Sequence, residues 1–200
     1  MTSRNSRIGR IAPIAGMAVV LVGGVASSAT AAPAFTEHWD DDVTFVHPAG
    51  SPDFCNLPFD VVERDQESGS FVGLNRGPSG LFFGAAKFNG TVTWTNPLNR
   101  RNFRQEYSGT DREQKVVDNG DGTLTAQVQF TGPSRYYDNG RLAFIDTGMV
   151  RITVTFDNGG TPTDPTDDAQ ERQFVSLDKV TGLRQTDGRD FCADIVEFIG

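Results

Sequence analysis

Polar and apolar residues alternate without interruption along Thr123-Leu124-Thr125-Ala126-Gln127-Val128-Gln129-Phe130, and again along Val150-Arg151-Ile152-Thr153-Val154-Thr155-Phe156. Thr91-Val92-Thr93-Trp94-Thr95 is a shorter copy. In an extended chain successive side chains point to opposite faces. The alternation therefore sends Trp94, Leu124, Val128, Phe130, Ile152, Val154 and Phe156 to a buried face and Thr and Gln to water. These are the marks of antiparallel strands with one wet face. Asn89-Gly90, Asn119-Gly120, Asp121-Gly122, Asn139-Gly140 and Asp157-Asn158-Gly159-Gly160 punctuate the runs, and such pairs tolerate the positive φ of tight hairpins. Further strands are predicted over 37–47, 58–65, 81–88, 103–109, 112–118, 141–147 and 172–179. Short strands at this spacing predict an all-β fold: an antiparallel barrel of about eight strands or, alternatively, a two-sheet β-sandwich.

The period changes near the end of the chain. Phe191, Ile195, Phe198 and Ile199 recur at helical spacing behind Asp190, a good N-cap, so a short C-terminal helix is predicted. The start differs again. Arg4, Arg7 and Arg10 precede an apolar run from Ile11 to Ala26, followed by Ala29-Thr30-Ala31. That order reads as a signal peptide over 1–31 with an A-x-A cleavage site, and the run is short for a membrane span. Residues 32–36 are expected to be a flexible mature N-terminus, and 37–200 a single domain. The expected location is extracellular, with no stable membrane insertion.

The net charge of the whole chain is −8, and loss of the three arginines makes the mature chain more acidic. Such a surface argues against nucleic acid as a partner, because phosphate binding needs Lys and Arg. Only two cysteines occur, Cys55 and Cys192. In an exported chain they are read as one structural disulfide tying the start of the domain to its end, worth about 4–5 kcal/mol at most.

The segments Phe54-Cys55-Asn56-Leu57-Pro58-Phe59-Asp60-Val61 and Thr93-Trp94-Thr95-Asn96-Pro97, the Asp121-Gly122-Thr123 turn and the late Cys192 carry a resemblance. In these the chain resembles a group of secreted, actinomycete-type bacterial proteins of unknown function with lipocalin-like or allene-oxide-cyclase-like β-barrels. The resemblance implies the barrel and one terminal disulfide; it implies no activity and no catalytic residue. The lipocalin Gly-x-Trp has no counterpart, since Trp39 follows Glu37-His38.

No catalytic set is apparent. The two histidines, His38 and His47, both precede Cys55, and no Gly-x-Ser-x-Gly elbow exists. Carboxylates stand out at Asp60, Glu63 and Asp65 on one strand, and at Asp146 after an apolar run. The loop from Asp157 to Asp168 carries Asp157, Asp164, Asp167 and Asp168, oxygen donors of the kind calcium takes, though without EF-hand spacing. Arg100, Arg101 and Arg104 read as a salt-bridged edge. Fifteen Phe make the interior aromatic, and Phe83, Trp94, Phe130, Phe144 and Phe156 are the candidate lining for a small apolar ligand, or else an ordinary core. The expected function is a secreted, non-enzymatic binding protein for a small apolar ligand or a cell-surface partner. The alternatives are a cyclase or isomerase barrel using Asp146 or Asp60, and a calcium-stabilised envelope or adhesive protein. No cofactor other than calcium is expected.

Overall fold

A computed structural model describes residues 35–169 and 171–200; the expected signal peptide lies outside them. The elements are β1 (Phe35–His47), β2 (Val61–Arg76), β3 (Leu81–Thr95), β4 (Asn102–Asp118), β5 (Thr123–Asp138), β6 (Arg141–Asp157), β7 (Gln173–Arg184) and α1 (Phe191–Ile199). All seven strands form one antiparallel sheet in chain order, each paired to the next. The all-β class and the C-terminal helix stand. The eight-strand count becomes seven, and there is one sheet rather than two. Among the described residues β1 and β7 are its edges and no pairing joins them, so the sheet is open. No helix among the described residues is long and apolar enough to cross a membrane.

The strands are longer than the turn signals predict. Asn89-Gly90 makes no turn: it lies inside β3, where Asn89 pairs with Ser68 and Ser108. Gly90 is there for space, because a Cβ would collide with the Tyr107 ring. The segments 103–109 and 112–118 fuse in β4, and 141–147 and 150–156 fuse in β6. β1 starts at Phe35, paired with Gly73, so two residues expected to be loose belong to the sheet. The genuine hairpin at Asn139-Gly140 has φ of 46° and 84°, the mirror-image turn that matches strand twist.

A row of glycines crosses the sheet: Gly69 in β2, Gly109 in β4, Gly132 in β5, Gly148 in β6 and Gly182 in β7, with Phe88 of β3 between the first two. A Cβ on Gly148 would strike the Thr181 carbonyl, and one on Gly132 the Ser108 carbonyl. Neighbouring backbones can approach this closely only at glycine, which is how a sheet bends sharply.

On either side of the row lies a separate core. One holds Phe54, Leu57, Val61, Trp94, Phe103 and Phe144, closed by Ile195, Phe198 and Ile199 of α1. Each such side chain contributes roughly 1.5–3 kcal/mol by burial. The other holds Val116, Leu124, Ala126, Val128, Val154 and Phe156. Asp190 caps α1 by accepting from the Ala193 N–H at 2.9 Å. Asn96 and Asn99 donate to the Ile199 carbonyl at 2.9 and 3.0 Å, gripping the other end of the helix. Cys55 and Cys192 are bonded, as expected, and pin the helix to the β1–β2 loop across 137 residues.

Candidate functional site

Strand registers place Asp40, Gln66, Ser68, Asn89, Thr91, Glu106, Ser108 and Arg135 on one face, the polar one, opposite the two cores. There they line an open groove of about 420 Å³. A second groove of about 400 Å³ shares Asn89 and Ser108 and extends the first past Lys87 to Pro133. Its origin is in the ladder. The β4–β5 register runs from Tyr107↔Ser134 directly to Thr110↔Thr131, leaving 108–109 and 132–133 unpaired across the glycine row. Pro133, which has no N–H to give a ladder, fits at such a break.

The groove floor is held from below. Glu67 accepts from Trp39 Nε1 at 2.8 Å and from the Tyr107 hydroxyl at 2.7 Å. Burial first, and then that bond to Glu67, push the Tyr107 phenol far above its ordinary range, so it stays a donor. The Trp39 indole covers Gly69, just as Tyr107 covers Gly90. This is aromatic cover over strand glycines, and it makes the bend rigid.

The charges in the groove are mixed. Glu106 is committed to Arg104 at 3.0 Å and to the Tyr137 hydroxyl at 3.0 Å. Arg135 forms no ion pair among the described residues. Asn89 and Ser68 touch only at 3.4 Å, the long limit of a hydrogen bond, so both keep bonding capacity for a ligand. Amides, hydroxyls and a free guanidinium at a rigid bend suit a polar ligand with many hydroxyl groups.

The five aromatic candidates do not come together. Trp94 and Phe144 belong to the core under α1, whereas Phe156 belongs to the other core, with Phe83 and Phe130 packed against it. None of them lines either groove. The four loop carboxylates also stay apart in their bonding. Asp157 accepts from the Gly159 N–H, Asp164 from the Thr166 N–H and hydroxyl, and Asp167 from the Thr161 hydroxyl. Asp168 is half-buried, and desolvation with Asp167 nearby raises its carboxyl to about 6. Among the described residues no three His, Cys, Asp or Glu are grouped to hold a metal ion.

Asp146 and Asp60 serve as braces. Asp146 accepts from the Thr186 N–H and hydroxyl, and Asp60 from the Ala49 N–H at 2.8 Å. Arg101 reaches the Gly200 carbonyl and Arg104 lies over the Tyr137 ring, so two of the three clustered arginines stabilise neighbouring elements. Sequence reasoning passed over Gln66, Ser68, Asn89, Ser108 and Arg135. The Asn-Gly pair at 89–90 pointed to a turn and hid the longest-lived part of the groove. No family model, curated protein or solved structure matches this chain.

Proposed function

We propose that the protein is an exported binding protein that recognises a hydroxyl-rich ligand, such as a cell-surface saccharide, in the groove across the glycine row. The observation that carries this reading is the groove itself: a rigid, open surface lined by amides, hydroxyls and Arg135. Planar polar side chains of this kind form the paired hydrogen bonds that sugar hydroxyls accept and donate. An outer site is favoured over an inner apolar one because Trp94, Phe144 and Phe156 are only 7%, 7% and 5% exposed and packed in two cores. Export is supported by the disulfide, which suits an oxidising compartment. The resemblance to secreted actinomycete-type proteins agrees with this and supplies no ligand.

The test is an NMR titration of the mature, isotope-labelled protein with xylo-, manno- and chito-oligosaccharides. The expected result is movement of the Gln66 and Asn89 side-chain amides with one of these series, lost in Asn89→Ala and Arg135→Ala. Shifts confined to another surface, or none at millimolar sugar, would overturn the proposal. Mass spectrometry of the secreted protein checks export, with Ala32 expected as its first residue.

A further inference from the structure

The two sheet edges differ. β7 follows β6 with register shifts at Arg151/Ile152 and Thr153/Val154, and such bulges turn an edge away from an incoming strand. β1 pairs with β2 over all 13 of its residues with no shift, so its free side is long and regular. Val43 and Val46 on it are 43% and 61% exposed.

Charge is unbalanced at this edge. The registers set Glu37 and Asp41 of β1 beside Glu63, Asp65 and Glu67 of β2 on the sheet's core-facing side. That side carries no Lys or Arg across β1, β2, β3 and β4 as far as Glu113. The one nearby counter-group is His47, 2.8 Å from Glu63. Among the described residues Glu37, Asp40 and Asp41 form no ion pair; only Asp42 has one, with Arg64. Asp65 Oδ1 is buried without a hydrogen-bond partner, and desolvation together with Glu67, Glu63 and Asp41 pushes its carboxyl up. Charges on an edge strand can serve simply to repel other edges. Asp65 lies one strand behind the edge, paired with Val43, and is placed badly for that purpose. It is placed well to receive a long cationic side chain passing over Val43.

We propose that β1 is a docking edge for an extended segment of a partner protein bearing Lys or Arg at alternate positions. The segment adds to β1 as a new strand. Its backbone supplies the binding bonds, and its basic side chains lie over Trp39 to Val43 and reach Asp41 and Asp65. The partner side chains at the intervening positions face the opposite side, where Asp40 and Val46 are exposed.

The experiment uses the mature, disulfide-bonded protein and fluorescent peptides of alternating Lys and Val. A second peptide replaces Lys by Glu, and a third keeps Lys but is N-methylated at alternate residues. The Lys peptide is expected to bind and to slow hydrogen exchange in β1. The Glu peptide is expected not to bind, and the N-methylated one to bind about tenfold weaker or worse, because it cannot pair as a strand. Asp65→Asn is expected to weaken binding several-fold without lowering Tm, since it removes a desolvated, repelled charge. Equal binding of the N-methylated peptide would overturn strand addition, and protection of β7 in place of β1 would overturn the assignment of the edge. Sedimentation showing a dimer that the Lys peptide does not dissolve would overturn it in favour of a second copy.

Discussion

The Tyr107 ring occupies the space over Gly90 that a side chain would need, while its hydroxyl donates to Glu67. One contact thus couples the backbone of β3, the side chain of β4 and a carboxylate of β2 at the bend of the sheet. Gly90→Ala must displace Tyr107 and with it the bond to Glu67. The expected cost is about 1–3 kcal/mol, in the range of overpacking, seen as a lower midpoint in urea. Unchanged stability would mean that Tyr107 yields freely.

Glu67 accepts from both Trp39 and Tyr107. Glu67→Ala leaves two part-buried donors without their acceptor, and each such loss costs about 1–3 kcal/mol. Glu67→Gln keeps one acceptor oxygen and is expected to lose less. Denaturant titrations of the two variants, with Trp fluorescence as the probe, check the order.

Removing the disulfide with Cys55→Ser and Cys192→Ser is expected to cost about 2–5 kcal/mol. Because the bond joins α1 to the β1–β2 loop, protection from hydrogen exchange should fall first in 191–199 and 48–60. Equal loss across all strands would show that the two cores melt as one.

The Asp168 carboxyl is raised from 3.8 to about 6 by desolvation and by Asp167. The fold therefore prefers it protonated. Its contribution to stability is fully present below pH 3.8 and is lost as pH rises to about 6 and beyond. The stability difference between the protein and Asp168→Asn should change across that window, with the variant gaining on the parent as pH increases. A difference that stays flat would sink the assignment.

The strict alternation at 123–130 and 150–156 is written in the side chains, because those stretches cover the second core and need an apolar residue at every other place. The helix behind Asp190 is legible for the same reason. The stretch Gln66-Glu67-Ser68-Gly69-Ser70 has no apolar residue, yet it lies mid-strand in β2. What covers it there is Trp39 from the neighbouring strand, a partner that no local period reveals. The groove was hidden in the same way. Asn89, Ser108 and Arg135 converge only through the register of three strands and a skipped pairing at the glycine row. The candidate aromatics, conversely, were recognisable as buried but not as divided between two cores.

The placement of α1 also sets an order of events. The core around Val116, Leu124 and Phe156 is built from β4, β5 and β6, consecutive hairpins that find each other across short loops. The core under the helix draws on Phe54, Trp94, Phe103 and Phe144, and then waits for 191–199 to close it. Contacts so distant along the chain form slowly. Maturation thus has two stages: an early half made by its own neighbours, and a late half that stays unsealed until the last element is synthesised and its sulfur is oxidised.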